Sequence, residues 1–254
     1  MTVNSHVQWD YTELAERYDD RAPYADDALS SLLANELSLK PGDRVCDIGA
    51  GTGIFTELLA SMRLDVVAVE PNAAMKSKGV VRAHGHHVTW SNGTAEASGQ
   101  ADSSFRMVSF ASSFNVTCRA KALAESARIL EPGAWLLAFW NHRCFDDPLQ
   151  QRIEAAIRSI LPDYGYGSRR ESQDGVVQEA GCFDRPTGFS FRVVHKLEAS
   201  RFLRAWASHA TLKRQSGDRF DDVLAAIGDV VGSEQGEYIE VPYETRGFYA
   251  RLRA

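Results

Sequence analysis

The sequence predicts an α/β fold built on an open, doubly wound sheet, and three observations predict it. Apolar stretches of strand length alternate with helical patterns between residues 45 and 145, as in parallel strands joined by crossover helices. A glycine-rich turn at 49–53 links the first strand to its helix. The second strand, at 65–70, ends in the acid Glu70. Ligands of such sheets bind outside the carboxyl ends of the strands, so the turn and the acid are the first candidates for a site.

The glycine turn follows a strand predicted at 45–48 and precedes a helix, because apolar residues recur at helical spacing at positions 54, 55, 58 and 59. Gly49, Gly51 and Gly53 let the backbone turn sharply and let a ligand approach more closely than a Cβ would permit. The start of the helix presents N–H groups that have no partner within the helix. We therefore expect the turn to hold a ligand.

The acid that ends the second strand narrows the choice of ligand. A carboxylate about 20 residues after the glycine turn can accept hydrogen bonds from both ribose hydroxyls of an adenosine cofactor. A nicotinamide cofactor requires the spacing G-x-G-x-x-G. Counted from Gly49 and Gly51, the third glycine position holds Ile54 and Thr56 instead. The spacing therefore disfavours a dinucleotide.

The ordered set Asp47-x-Gly49-x-Gly51-x-Gly53 resembles motif I of the class I S-adenosylmethionine-dependent methyltransferases, and the chain is most similar to their small-molecule, natural-product-tailoring branch. The resemblance implies a Rossmann-like, seven-stranded sheet with helical cap insertions, and S-adenosyl-L-methionine as cofactor. The residues that it implies for cofactor binding are Tyr18, Arg21, Asp47, Gly49, Ala50, Gly51, Thr52, Gly53, Glu70, Pro71, Met75, Gly93, Thr94, Ala95, Glu96 and Ala111.

The remaining strands are predicted at 88–90, 105–110, 135–140, 189–197 and 238–243, and the helices outside the cap at 28–39, 120–130, 199–213 and 219–231. Pro242 suits an edge or a strand end. Because no repeat or low-complexity linker interrupts the pattern, we expect one domain over 1–254. Residues 1–40 are predicted to form a lid of helices, and residues 145–187 a cap over the acceptor pocket, with Tyr164, Tyr166 and Arg169 as candidate substrate contacts.

The chemistry of transfer is expected at the carboxyl end of the fourth strand. We expect Tyr11, Tyr18 and Phe114 to line the methyl-transfer zone. Many relatives carry a histidine just after this strand, where this chain has Phe114-Asn115-Val116. His142, after the fifth strand, is the best remaining candidate for a general base.

The absence of the usual base favours N-methylation of a small amine, in antibiotic biosynthesis, because a neutral amine attacks through its own lone pair. The first alternative is an O-methyltransferase acting on a hydroxyl or carboxylate with His142 as base. A nicotinamide-dependent oxidoreductase and an inactive cofactor-binding protein are the others. The sequence leaves the acceptor's identity, the pathway and the formation of a homo-oligomer open.

Composition excludes several other classes. Hydrophobic residues make up 44% and charged residues 24%, which is near average for a globular protein. The net charge of −6 offers no global attraction to phosphate backbones, so a nucleic-acid partner is not expected. No leader and no long apolar run is present, so we expect no membrane partner and a cytoplasmic location. The four cysteines and the cluster His84, His86 and His87 lack metal-ligand spacing, so no metal is expected.

Overall fold

The computed structural model describes residues 18, 20–166, 170–234 and 236–253. Most of the predicted lid, including Tyr11, lies outside the described residues. The same holds for Arg169 of the predicted cap. Tyr18 and the segment from residue 20 onward are the parts of the lid on which the structure bears.

The sheet has seven strands in the order β3-β2-β1-β4-β5-β7-β6. Strands β1 to β5 are parallel, whereas β7 runs antiparallel to both of its neighbours, β5 and β6. The predicted α/β, doubly wound architecture is confirmed. The strands are β1 Arg44–Ile48, β2 Asp65–Val69, β3 Val88–Ser91, β4 Phe105–Ala111, β5 Leu130–Arg143, β6 Thr187–Glu198 and β7 Tyr238–Arg251.

Helices cover both faces and one end of this sheet. The first helix, α1 at Asp26–Ser31, continues as a π-helical turn over Leu32–Glu36. The α-helices are α1 Asp26–Ser31, α2 Ile54–Ser61, α3 Ala73–Arg82, α4 Arg119–Ile129, α5 Pro148–Ile160, α6 Asp174–Ala180, α7 Ala199–Ala207, α8 Ala210–Ser216 and α9 Phe220–Gly232.

The helix predicted at 199–213 is divided into α7 and α8. The division falls at Ser208 and His209, where the His209 Nδ1 accepts a hydrogen bond from the backbone N–H of Leu212 at 3.2 Å. This side chain therefore caps α8 in the way that a serine or aspartate usually does. Because histidine is an uncommon capping residue, the apolar period alone did not indicate a break.

Strand β7 is much longer than the predicted 238–243 and reaches Arg251. Its second half lies between β5 and β6 and pairs with both. Pro242 directly precedes Tyr243, the first β7 residue that pairs with β5. The Pro242 carbonyl accepts a hydrogen bond from the Cys144 N–H at 3.0 Å. The N–H that proline lacks is therefore not needed for the pairing with β5, which suits a proline.

The core comprises three clusters of buried side chains. One lies between the sheet and α4 with α6, and another packs α1 and α2 against the opposite face. The third joins α5, α7, α8 and α9 around Trp206 and Ile153, both fully buried. The helix at 148–160, within the predicted cap, thus packs with the helices at 199–232 and against the amino-terminal part of β7. No helix among the described residues has the length and apolar character needed to span a bilayer.

Candidate functional site

The glycine turn has the conformation that its sequence requires. Gly49, Gly51 and Gly53 have φ angles of +68°, +60° and +78°, in the left-handed region that favours glycine. A Cβ on Gly49 would lie 2.6 Å from the Ser113 Cβ, and one on Gly51 would lie 3.3 Å from the Met75 Cε. Both backbone conformation and close neighbours therefore exclude larger residues at the first two positions.

Glu70 lies beside this turn and is only 7% exposed. Its Oε2 accepts a hydrogen bond from the Gly51 N–H at 2.9 Å, and its Oε1 accepts one from the Asn72 N–H at 2.8 Å. Burial raises the pKa of the carboxyl, and the two backbone N–H groups partly offset that effect. The carboxylate is thus fixed in orientation at the end of β2, with further lone pairs available to a ligand.

A cleft of about 340 Å³ opens in front of the turn and Glu70. Ten of the predicted cofactor residues line it, namely Tyr18, Gly49, Gly51, Glu70, Pro71, Met75, Thr94, Ala95, Glu96 and Ala111. Sequence reasoning missed Ile48, Asn72, Ser112, Ser113, Val116 and Thr117, which complete the wall. Asn72 had a recognisable signal, since its Oδ1 caps α3 by accepting from the Met75 N–H at 3.0 Å.

The other predicted cofactor residues do not line the cleft. Ala50 and Thr52 lie within the turn, where the Ala50 N–H donates to the Val69 carbonyl and Thr52 is 1% exposed. Gly53 faces Trp90, whose ring would lie 3.4 Å from an added Cβ. Gly93 packs against the Ser98 carbonyl, which would lie 2.6 Å from an added Cβ. These residues are neighbours of the residues that line the cleft and do not line it themselves.

Asp47 also lies behind the cleft, at the end of β1. Its Oδ2 accepts from the Thr56 hydroxyl at 2.7 Å and its Oδ1 from the Ser109 hydroxyl at 2.9 Å. Complete burial raises the pKa of this carboxyl to about 6, although both hydroxyl hydrogen bonds oppose the rise. Asp47 therefore ties β1 to β4 and to α2, and it acts on the turn by positioning it.

Replacing Asp47 by asparagine should change how stability depends on pH. A carboxyl with a raised pKa stabilises the fold below its unfolded pKa and loses that contribution as pH rises through about 6. Asparagine keeps a hydrogen-bonding side chain and does not titrate. The free energy of unfolding of the variant relative to wild type should therefore rise by about 2 kcal/mol from about pH 4.5 to about pH 7.5 in urea titrations. A difference that is constant with pH would mean that this carboxyl titrates normally.

A second pocket lies at the carboxyl end of β5 and the amino-terminal part of β7, beneath α7 and α8. Its walls share Tyr18 and Ser112 with the cleft in front of the glycine turn. The free space within it is small, about 70 Å³. It is lined by Tyr18, Arg21, Ala22, Tyr24, Ile54, Ser112, Asn141, His142, Arg143, Tyr166, Arg170, Ala205, His209 and Tyr243.

Ser112, at the shared wall, adopts a strained conformation. Its φ angle is +64°, which a non-glycine residue rarely adopts. The Ser112 N–H donates to the Phe139 carbonyl at 2.8 Å, and its hydroxyl hydrogen-bonds with the Tyr24 hydroxyl at 3.2 Å. Such strain concentrates at functional sites, where surrounding contacts maintain it.

The predicted catalytic residues are only partly brought together. Tyr18 and His142 line the second pocket, and His142 is 3% exposed. Phe114 does not line either cavity, which corrects the sequence interpretation. Its ring is fully buried and packs edge-on against Phe110 and Phe248, at centroid distances of 5.2 and 6.2 Å. The short 3-10 turn Phe114–Val116 directs this side chain into the core.

Arg21 lines the second pocket and not the cleft in front of the glycine turn, so its predicted role at the cofactor is not supported. Its guanidinium donates to the Ser208 carbonyl at 2.9 Å and lies 3.8 Å from the centre of the Tyr18 ring. Of the cap tyrosines, Tyr166 lines the pocket, whereas Tyr164 is 2% exposed and packs in the core around Trp206.

The fold and the two cavities define a class of protein: an open α/β protein with a cleft suited to a nucleoside cofactor beside a second, smaller pocket. The glycine cradle that any Cβ would obstruct, and the fixed carboxylate of Glu70, fit an adenosyl group with ribose hydroxyls. Tyr18 and Ser112 form a wall that the two cavities share.

Comparison with known proteins shows which family part of the chain is similar to. Residues 45–133 match the model of the methyltransferase domain family. A demethylmenaquinone methyltransferase of Renibacterium salmoninarum is 36% identical over 146 residues, which are 52% of this chain and 61% of that protein. Over the matched region the chain is similar to the class I S-adenosylmethionine-dependent methyltransferases, whose cofactor is S-adenosyl-L-methionine. The match spans less than two thirds of that curated relative.

Solved structures agree with this fold. A candidate type II methyltransferase from Anaeromyxobacter dehalogenans superposes with a TM-score of 0.64 at 19% identity, over 92% of this chain and 99% of that one. Phosphoethanolamine N-methyltransferase 2 of Haemonchus contortus, in complex with S-adenosyl-L-methionine, gives 0.54 at 17% identity, over 98% and 58% of the two chains. At these identities the similarity concerns the fold alone.

Proposed function

We propose that this protein transfers the methyl group of S-adenosylmethionine to a small-molecule acceptor. The observation that carries the proposal is the wall formed by Tyr18 and Ser112, which borders both the cofactor cleft and the second pocket. Two reactants that occupy adjoining cavities can meet there without crossing solvent. The second pocket is therefore assigned to the acceptor.

The chain's residues have separate tasks in this reaction. Bound S-adenosylmethionine supplies an activated methyl group on a sulfonium sulfur. Glu70 would accept hydrogen bonds from its ribose hydroxyls, while Thr94, Ala95 and Glu96 would line the rest of the cleft. The protein must then align the acceptor and exclude water. Orientation of the two reactants can lower the activation barrier by roughly 7 kcal/mol or more.

The acceptor's nucleophilic atom is the finer question. The amine favoured by the sequence, and its place in antibiotic biosynthesis, remain predictions. Among the described residues that line the acceptor pocket there is no aspartate or glutamate to attract a protonated amine. His142 lies in the same lining, within reach of a bound acceptor. These two features favour an oxygen nucleophile, the first of the alternatives drawn from the sequence.

Calorimetric titration with S-adenosylmethionine and with NADH tests the proposed function. We expect S-adenosylmethionine to bind and NADH to give no heat, because the turn lacks the dinucleotide spacing. A screen of small acceptors for production of S-adenosylhomocysteine then tests transfer itself. Binding of NADH in preference to S-adenosylmethionine would overturn the proposal, and tight cofactor binding without turnover across the screen would favour an inactive binding protein.

Replacing His142 by glutamine distinguishes the two nucleophiles. For a hydroxyl acceptor we expect kcat to fall by roughly 100-fold or more, because a general base contributes on that order, with little change in cofactor affinity. For an amine acceptor kcat should stay within about threefold of wild type, since no base is required in the transfer step. Glutamine retains hydrogen-bonding capacity, and a cofactor titration of the variant would reveal any loss of folding.

A further inference from the structure

The acceptor pocket carries a positive charge that contrasts with the chain as a whole. Arg21, Arg143 and Arg170 line it, and no acidic residue does so among the described part of the chain. The chain has a net charge of −6, so this concentration of guanidinium groups is local. Low-dielectric walls strengthen the attraction of such a pocket for an anion.

Arg143 is the residue best placed to bind an anion. It ends β5, and its guanidinium lies 3.4 Å from the centre of the Trp206 ring, which is fully buried. No carboxylate of the described residues forms an ion pair with Arg143. Stacking on the indole holds the guanidinium in one plane and leaves its N–H edges free to donate to a planar anion.

Arg170 reinforces this position from the cap. Its Nη2 donates to the Arg143 carbonyl at 3.0 Å, and its guanidinium lies 3.7 Å from the centre of the Phe145 ring. Glu154 accepts a hydrogen bond from the Tyr166 hydroxyl and does not line the pocket.

The rest of the lining selects for a flat molecule. Four tyrosines, Tyr18, Tyr24, Tyr166 and Tyr243, contribute rings to a space of only about 70 Å³. A space of this size excludes bulky groups, and aromatic side chains provide apolar contact for a flat one. A carboxylate is planar and matches the guanidinium fork in two parallel hydrogen bonds.

We infer that the methyl acceptor is a small, planar carboxylic acid, and that Arg143 together with Arg170 binds its carboxylate. This inference rests on the proposed methyl transfer, which assigns the pocket to the acceptor. Guanidinium groups withdraw electron density from the carboxylate that they bind. The carboxylate therefore anchors the acceptor, and another atom of the same molecule receives the methyl group.

Three probes of nearly equal size and different charge test the inference. Benzoate, benzamide and benzylamine are titrated by ligand-observed NMR, with and without saturating S-adenosylhomocysteine. We expect benzoate to bind at least about 10-fold more tightly than benzamide, and benzylamine to bind most weakly. Equal binding of benzoate and benzamide, or preference for benzylamine, would overturn the carboxylate site.

Variants then locate the effect. Arg143→Met keeps an apolar stem over Trp206, and we expect it to remove the preference for benzoate while changing benzamide binding less than about twofold. Arg143→Lys should retain part of the preference, since it keeps the charge without the fork. Arg106→Met, at the opposite end of the sheet, is the control and should behave as wild type. A benzoate preference that survives Arg143→Met would overturn the assignment.

The design separates this inference from the proposed function. Titration with S-adenosylhomocysteine measures binding in the cofactor cleft, and titration with benzoate measures binding at Arg143 and Arg170. Normal cofactor binding without a benzoate preference would overturn the carboxylate site alone. A benzoate preference without cofactor binding would support the anion site and contradict the methyl transfer on which its role depends.

Discussion

Replacing Glu70 by alanine is expected to weaken S-adenosylmethionine binding by roughly 30- to 150-fold, about 2 to 3 kcal/mol. The wild-type carboxylate is 7% exposed and fixed by the Gly51 and Asn72 N–H groups at 2.9 and 2.8 Å. Its removal takes away the acceptor for the ribose hydroxyls and leaves two backbone donors without their partner. Calorimetric titration of wild type and variant measures the loss.

Two controls separate ligand contact from damage to the turn. Glu131→Ala removes a surface glutamate that is 39% exposed and forms only a long ion pair with Arg106, and it should leave the affinity unchanged. Adenosine and 2′,3′-dideoxyadenosine differ only in the ribose hydroxyls. Wild type should prefer adenosine and Glu70→Ala should not. If the variant keeps the preference for adenosine, Glu70 supports the turn without contacting the ribose.

Local signals explain why the sequence indicates many of the residues that line the cleft in front of the glycine turn. The glycine turn, the strand before it and Glu70 all lie within 26 consecutive positions, 45–70. Their conformations depend on nearby residues and on left-handed φ angles that glycine tolerates. Thr52 and Gly93, which the sequence also suggested, are next to lining residues but do not line the cleft themselves. Spacing identifies a loop, whereas side-chain direction depends on packing.

The acceptor pocket was much less predictable because its residues come from separate elements. Arg143 ends β5, Arg170 follows the cap helix α5, and Tyr243 lies on β7, opposite Arg143 in register. Only the sheet order brings them together. Phe114 is the opposite case. Its position directly after β4 predicts a residue of the cleft, but its ring packs against Phe248 of β7. The sequence contains no local feature that reports either pairing.

The length of β7 was missed for a related reason. Its second half contains Glu244, Arg246 and Gly247, which read as a polar turn. In the structure this segment is paired on both sides, by β5 and by β6, and backbone hydrogen bonds override the weak strand propensity of these residues. Gly247 has an additional reason to be glycine, because the backbone of β5 leaves no space for a Cβ at this position.

Replacing Gly247 by alanine is expected to destabilise the fold by at least about 3 kcal/mol. An added Cβ would lie 2.1 Å from the Ala138 carbonyl oxygen and 2.6 Å from the Phe139 Cα, both backbone atoms of strand β5, which is paired on both sides. These atoms cannot move without opening the sheet. The Phe139 carbonyl also accepts from the Ser112 N–H at 2.8 Å, so the shift would extend to the wall between the two cavities.

Gly188→Ala is the matched control, because it places the same methyl group on the neighbouring strand β6. Its Cβ would lie 3.9 Å from the Gly247 carbonyl oxygen, an ordinary contact, so the free energy of unfolding should change by less than about 0.5 kcal/mol. Urea unfolding of both variants measures the contrast. If Gly247→Ala were as stable as Gly188→Ala, the spacing of β5 and β7 would have to be wider than the structure shows, and the packing that holds Phe139 and Ser112 in place would need revision.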